Sequence, residues 1–80
     1  MCESMQQFIE YIVKNLVDVP EGVDVQCING QRGTIIEVRV DKADTGKIIG
    51  KEGRTIQALR TIAMLTGNKL GRQVRFELIE

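Results

Sequence analysis

The stretch Ile48-Ile49-Gly50-Lys51-Glu52-Gly53-Arg54-Thr55-Ile56 lies beyond the middle of the chain and decides how the rest is interpreted. Two glycines three positions apart enclose a two-residue tip, and the missing Cβ atoms let this backbone approach another molecule closely. The helix-forming run that follows begins with free N–H groups, which suit a phosphate. The stretch therefore predicts a loop between two helices that grips a nucleic-acid backbone.

Acidic and basic residues are unevenly distributed along this chain of 80 residues, whose formal net charge is zero. Residues 1–30 hold one base and five acids, a net charge of −4, whereas residues 42–75 hold eight bases and two acids, a net charge of +6. The positive part surrounds the glycine loop, which favours a polyanionic ligand there. The length predicts one domain over residues 1–80.

Hydrophobic periodicity predicts the N-terminal elements. Apolar residues at helical spacing from Met5 to Leu16 predict a first helix, with Ser4 as its N-cap and Pro20 beyond its end. Alternating residues predict strands over 23–28 and 36–41. Asn29-Gly30 between them predicts a tight turn, so the two strands form an antiparallel hairpin.

The C-terminal half continues with two helices and a strand. Asp41 or Asp44 is expected to cap a brief helix that stops at Gly50. A longer helix over 54–66 ends at Gly67-Asn68, and alternation predicts a last strand over 74–79. Three strands with one apolar face, covered by three helices in the order α-β-β-α-α-β, predict an α+β two-layer fold.

Residues 46–56 closely resemble the signature of KH RNA-binding domains, in which isoleucine and glycine precede two variable residues, a second glycine and a hydrophobic helix. The element order resembles the type II KH fold, and the resemblance to small bacterial KH proteins covers essentially the whole chain. It implies a three-stranded sheet packed against three helices. It also implies a groove for about four single-stranded nucleotides beside the loop.

The predicted RNA-binding residues combine backbone donors, cations and an apolar groove floor. Lys51 supplies a point charge, Arg54 a planar set of donors, and Lys47 steers the strand. Ile48 is the expected groove residue, with Ile49 and Ile56 mainly in the core. The full set is Lys47, Ile48, Ile49, Gly50, Lys51, Glu52, Gly53, Arg54 and Ile56.

Two features predict weak binding by a single copy. The aromatic residues Phe8, Tyr11 and Phe76 all lie away from the loop in sequence, so stacking on aromatic rings is not expected. Glu52 either lowers the affinity through its charge or favours the N-terminus of the following helix. Micromolar affinity is expected, and a second copy would then increase it through avidity.

Other functional classes are less compatible with the sequence. Ile48 stands where a dinucleotide fingerprint needs a glycine, and only three residues separate Gly46 from Gly50, where a Walker A loop needs four. The chain has no histidine, and its carboxylates are interpreted as caps, so neither an enzyme nor a cofactor or metal site is expected. The alternative is a dimerisation subunit whose partner supplies most RNA contacts.

Cys2 and Cys27 are expected to be free thiols, and the protein to be cytoplasmic and without a membrane segment. The resemblance implies partners and a role that the residues do not: a homodimer or a heterodimer with a related KH protein, RNA chaperone activity, and a part in cell elongation and wall homeostasis. The residues are compatible with both RNA and single-stranded DNA, because contacts to the 2′-hydroxyl are not readable from the sequence.

Overall fold

The computed structural model describes residues 2–80 and has the predicted order of elements. The helices and strands are α1 (Cys2–Lys14), β1 (Asp24–Asn29), β2 (Thr34–Arg39), α2 (Thr45–Ile49), α3 (Arg54–Lys69) and β3 (Val74–Leu78). Short 3-10 turns lie at Pro20–Gly22, Lys42–Asp44 and Lys51–Gly53. The predicted α+β architecture, a type II KH fold with three helices on a three-stranded sheet, is confirmed.

The sheet is mixed, with the strand order β1-β2-β3. β1 and β2 pair antiparallel through the connection at residues 30–33, as predicted, and Gly30 N donates to Gly33 O at 2.7 Å. β2 and β3 pair parallel, so residues 40–73 form the crossover that carries α2 and α3. β2 is therefore the central strand, and β3 lies at the edge of the sheet.

The core lies between one face of the sheet and the helices. Ile36 and Val38 of β2 are completely buried, because side chains two apart on a strand share a face. On the opposite face, which the helices leave uncovered, the cross-strand partners Ile28, Ile35 and Arg75 form one row. The buried apolar residues are Met5, Ile9, Val13, Val25, Ile36, Val38, Ile48, Leu59, Ala63 and Phe76.

The predicted start and stripe of the first helix need correction. α1 is already helical at Cys2, so Ser4 lies inside the helix and is not its N-cap. Met5, Ile9 and Val13 are buried, whereas Phe8 at the edge of the stripe is 48% exposed. The buried stripe is narrower than the sequence pattern because a single helix packs on a small sheet through one row of side chains.

The predicted end of the long helix at Gly67-Asn68 is also wrong, because α3 continues to Lys69. Gly67 is buried inside the helix, and a Cβ placed on it would clash with the Val74 side chain and lie 2.8 Å from Arg72 O. The glycine therefore allows α3 to approach β3 closely. The helix ends instead before Gly71, whose φ of 73° is in the left-handed region that favours glycine.

The two cysteines are not free thiols. Cys2 of α1 and Cys27 of β1 form a disulfide, with their Cα atoms 6.0 Å apart. Cys27 points to the helix-covered face of the sheet, as the strand pattern predicts, and α1 brings Cys2 to it. Spacing along the sequence did not indicate this pair, because the contact arises only when α1 packs on β1.

Candidate nucleic-acid interface

The glycine loop has the backbone that its sequence predicts. α2 ends at Gly50, whose N–H donates to Gly46 O at 2.8 Å and whose φ is 77°. Glu52 (φ 57°) and Gly53 (φ 74°) are both left-handed, and Glu52 is the one non-glycine residue with positive φ in the part of the chain that the structure describes. A left-handed residue after a right-handed one turns successive N–H groups to the same side, a geometry that binds anions.

The start of α3 adds further donors. Gly53 is the residue before the helix, and it provides no side-chain hydrogen bond to the first turn. Helix N-termini carry a partial positive charge and N–H groups without intrahelical partners. A Cβ at Gly50 would clash with Thr55, whereas one at Gly53 would meet nothing within 4 Å. Gly50 is thus required for the tight turn, and Gly53 leaves the helix end open to solvent.

The side chains at the loop tip are exposed. Lys51 has no ion-pair partner among residues 2–80, so its charge is available to an external anion. The Arg54 guanidinium lies 3.7 Å from the Glu52 carboxylate, with the two side chains 81% and 69% exposed. Exposed pairs of this kind contribute little to stability. Glu52 therefore partly offsets the positive charge of the tip.

Lys47 is engaged in an ion pair rather than free. Its ammonium group lies 2.8 Å from an Asp18 carboxylate oxygen and 3.6 Å from Asp44. A phosphate approaching Lys47 would have to compete with Asp18. Hydrogen bonding to Asp18 raises the pKa of Lys47, and the negative charge of Asp18 acts in the same direction.

Asp44 is a buried carboxylate that fastens the start of α2 to the segment after α1. Its two oxygens accept from the backbone N–H groups of Asp18 at 3.1 Å and Val19 at 2.9 Å. Burial opposes its ionisation, but these two donors and the Lys47 ammonium together hold the pKa of Asp44 below its ordinary value of 3.8. Of the two predicted caps of the short helix, Asp44 lies at the N-cap position of α2 but makes no side-chain cap hydrogen bond. Asp41 caps the preceding 3-10 turn instead, accepting from Ala43 N at 3.0 Å.

The burial expected for Ile48 and Ile49 is reversed, whereas Ile56 packs against the core as expected. Ile48 is completely buried in the core, whereas Ile49 and Ile56 are only partly buried. Ile49 immediately precedes the loop and Ile56 lies in the first turn of α3. These two, and not Ile48, are the apolar side chains of the predicted set that remain accessible beside the loop.

A cleft of about 360 Å³ lies between α3 and the edge strand β3. It is lined by Arg60, Met64, Val74, Arg75, Phe76 and Glu77. The strand that borders α3 at this cleft is therefore β3. Arg39 does not line the cleft, since it lies on the central strand with its guanidinium 3.8 Å from the Glu37 carboxylate. Arg60, Met64 and Arg75 are not in the predicted set. The positive charge of residues 42–75 was a signal for the two arginines, whereas Met64 had none.

Comparisons with known proteins agree with the fold. The family model described as "KhpA/KhpB, KH domain" matches residues 6–78. The RNA-binding protein KhpA of Chlamydia trachomatis is 47% identical over 76 residues, which cover 95% of this chain and 97% of that protein. The RNA-binding protein KhpA of Aquifex aeolicus is 43% identical over 77 residues, covering 96% and 98% of the two chains.

Among solved structures, a crystal structure of Era from Aquifex aeolicus bound to GDP·AlF4− has a similar fold. The TM-score is 0.62 at 22% identity, and the match covers 94% of this chain and 29% of that chain. At this identity the likeness concerns the fold alone. In the described residues, no helix has the length and apolar character needed to cross a bilayer.

Proposed function

This chain belongs to the KhpA/KhpB family of KH domains, and we propose that it binds single-stranded RNA and acts as a binding module rather than an enzyme. The relatives that match nearly its full length are named RNA-binding proteins. The observation that carries the proposal is the exposed loop of residues 50–53, in which the unpaired Lys51 stands beside a left-handed backbone. This loop lies at the N-terminus of α3, the helix that forms one wall of the cleft.

In this proposal the loop holds the phosphates and the cleft holds the bases. N–H groups of Lys51 and Glu52 and of the first turn of α3 beyond Arg54 donate to phosphate oxygens, while the Lys51 and Arg54 side chains supply charge. The N–H groups of Gly53 and Arg54 already donate to Gly50 O and Lys51 O. Ile49 and Ile56 contact the sugar and base next to the loop. Met64 and the β3 side chains contact the following bases in the cleft. Phosphate contacts carry little sequence information, so the affinity should fall as salt rises.

The test replaces both tip residues at once. Lys51→Asp combined with Glu52→Asp should abolish RNA binding in a fluorescence anisotropy titration. Both side chains are exposed and take no part in the core, so the fold should survive. Aspartate tolerates the left-handed conformation that position 52 requires, so the backbone of the tip is retained.

A matched control changes the net charge in the same way at another site. Lys14→Asp removes an exposed lysine from the last turn of α1 and should leave RNA affinity nearly unchanged. Circular dichroism melts of both variants establish that they are folded. Undiminished RNA binding by the folded tip variant would refute the assignment of the loop.

A second candidate function is a dimerisation subunit, as a homodimer or with a KhpB-like protein. The observation that favours it is an apolar surface between α1 and the end of α3, where Phe8 is 48% and Leu70 38% exposed. A cavity of about 350 Å³ beside it is lined by Ser4, Met5, Phe8, Thr66, Lys69 and Leu70. Light scattering with and without RNA separates the two functions. A dimer that never binds RNA, even at low salt, would favour the second.

Family membership supports the cellular role that we propose: an RNA chaperone of the cytoplasm that acts with a KhpB-like protein in cell elongation and wall homeostasis. Crosslinking in cells, followed by sequencing of bound transcripts and by identification of co-purified proteins, tests both parts. Cells carrying the tip variant provide the control, since they should lose the crosslinked RNA. Retention of the same transcripts by that variant would contradict the role of the loop.

A further inference from the structure

The uncovered face of the sheet combines two isoleucines with an arginine in the row nearest the hairpin. In the row nearest the hairpin, Ile28 and Ile35 are cross-strand partners, and Arg75 of β3 continues the row. Ile28 is 47% exposed, and the Arg75 side chain is 74% exposed. The next row pairs Glu37 with Glu77, so the acids lie farther from the hairpin. The pair Ile28 and Ile35 thus forms an apolar surface that lies beside Arg75 and is accessible to solvent.

Two depressions continue this row around the hairpin. The first, of about 280 Å³, is lined by Gly30, Arg32, Gly33, Thr34, Ile35, Gln73 and Arg75. The second, of about 540 Å³, is lined by Gln31, Arg32, Gly71, Arg72 and Gln73. Arg75 also lines the cleft between α3 and β3, so it joins the cleft to the first depression. We call the surface formed by Arg32, Ile35, Arg72, Gln73 and Arg75 the hairpin patch.

The hairpin patch keeps most of its positive charge. Arg32 and Arg72 have no ion-pair partner within residues 2–80. The Arg72 guanidinium donates to Thr34 Oγ1 at 2.9 Å and to the backbone oxygens of Gly30 at 3.0 Å and Gly33 at 3.2 Å, all of them neutral acceptors. It therefore holds the hairpin against the turn after α3 without losing its charge.

Among residues 2–80, the one acid that forms an ion pair with the patch is Glu77, and it is partly exposed to solvent. Arg75 lies 2.7 Å from Glu77, but the two side chains are 74% and 37% exposed. Ion pairs at such sites contribute little and are screened by salt. A phosphate can therefore replace Glu77 as the partner of Arg75. The patch is complementary to a flexible polyanion that also presents apolar surface.

We propose that the hairpin patch binds single-stranded RNA that continues out of the α3–β3 cleft, past Arg75, to Arg32 at the hairpin. The inference rests on the proposed function and extends it to a longer footprint. α3 spans about 24 Å along its axis, and the loop lies at one end of it and the turn at residues 70–73 at the other. A strand that leaves the loop end of the cleft along α3 thus reaches the hairpin patch. Arg32 and Arg75 contact phosphates, and Ile35 contacts a base.

The test compares short and long RNA. Fluorescein-labelled single-stranded RNAs of about 4 and about 10 nucleotides, the first matching the footprint of one KH domain, are titrated by anisotropy. Arg32→Ala should weaken binding of the long RNA about fivefold, as expected for one lost charge-assisted contact. The slope of log affinity against log salt should become shallower by about 0.7. Affinity for the short RNA should not change.

Arg39→Ala is the matched control, because Arg39 lies on the same sheet face at the end away from the hairpin and is 3.8 Å from Glu37. It should leave both affinities unchanged. Equal losses in the two arginine variants would overturn the proposal, since only general electrostatics would remain. Arg75→Ala is a second variant; because Arg75 lines both the cleft and the first depression, it should weaken binding of both RNAs, and that of the long RNA more.

The outcomes also separate the inference from the proposed function. If neither RNA binds the unaltered protein, the proposed function fails and the inference with it. If both RNAs bind and the tip variant abolishes both, but Arg32→Ala has no effect on the long RNA, the inference alone is overturned. That last result is also the one expected if the patch serves an acidic protein segment or a second copy of the chain.

Discussion

Replacing Glu52 by glutamine tests whether the acid at the loop tip opposes RNA binding. The carboxylate lies 3.7 Å from the Arg54 guanidinium, and the backbone around it is the proposed phosphate site. Two unit charges at about 4 Å interact by about 1 kcal/mol in water. Both side chains are largely exposed, so we assign about 0.5–1 kcal/mol to the repulsion between the Glu52 carboxylate and a bound phosphate, which the substitution removes. Glu52→Gln should therefore bind RNA about two- to fivefold more tightly.

The same substitution should slightly destabilise the protein. Glu52 precedes α3, and an acid near a helix N-terminus stabilises the helix by about 0.3–1 kcal/mol. Affinity and stability thus move in opposite directions, which a general loss of structure would not produce. Urea denaturation gives the change in the free energy of unfolding, and anisotropy with a labelled single-stranded RNA gives the affinity.

Salt and a control variant complete the design. The gain in affinity should be largest at low ionic strength and disappear near 1 M salt, where charges are screened within about 3 Å. Glu3→Gln changes the net charge equally but lies in the first turn of α1, so it should not affect RNA affinity. An unchanged or reduced affinity of Glu52→Gln at low salt would refute the reasoning. Glu52 would then act through the shape of the loop.

Three further predictions concern the scaffold. Gly67→Ala should destabilise the protein in urea denaturation, because overpacking costs about 1–3 kcal/mol and outweighs the helix propensity gain of about 1 kcal/mol. Gly46→Ala is the control and should stabilise the protein, because nothing lies within 4 Å of the added Cβ. Equal effects of the two substitutions would contradict the packing argument. Folding lowers the pKa of Asp44, so the contribution of its carboxylate to stability is present above about pH 4 and is lost as pH falls through the folded-state pKa. Between pH 6 and pH 2 the melting temperature should therefore fall less in Asp44→Asn than in the unaltered protein. Parallel curves of melting temperature against pH would contradict this role of Asp44. The Cys2–Cys27 disulfide closes a loop with a sequence separation of 25. Its reduction by dithiothreitol should lower the free energy of unfolding by about 3 kcal/mol in the chain-entropy estimate, whereas the stability of Cys2→Ser should not respond to dithiothreitol. An equal response of the two proteins would be inconsistent with the bond.

Local signals in the sequence were sufficient for the loop and for the element order. Gly50 and Gly53 adopt the positive φ values that only glycine takes readily, and Asn29-Gly30 does mark a hairpin connection. These features depend on neighbouring residues, so they are visible without the fold. The apolar periodicity of the first and third helices also survives, because each is long enough to define a face.

The failures have long-range causes. α2 has five residues, too few for periodicity to decide which of Ile48 and Ile49 points inward. The partner of Lys47 is Asp18, 29 positions away, and only packing brings them together. Periodicity also does not distinguish an edge strand from a central one. The cleft beside β3 was therefore missed, although the charge of the region was recognised.

The crossover between the parallel strands has a consequence for synthesis and folding. β2 and β3 are neighbours in the sheet, yet the whole α2–loop–α3 segment lies between them in the chain. Contacts between distant segments form late, because the chain must first close a long loop. A nascent chain that stops before Val74 already contains every residue of the glycine motif but only one wall of the cleft. Emergence of β3 from the ribosome, rather than appearance of the motif, then determines when the proposed RNA cleft is first complete.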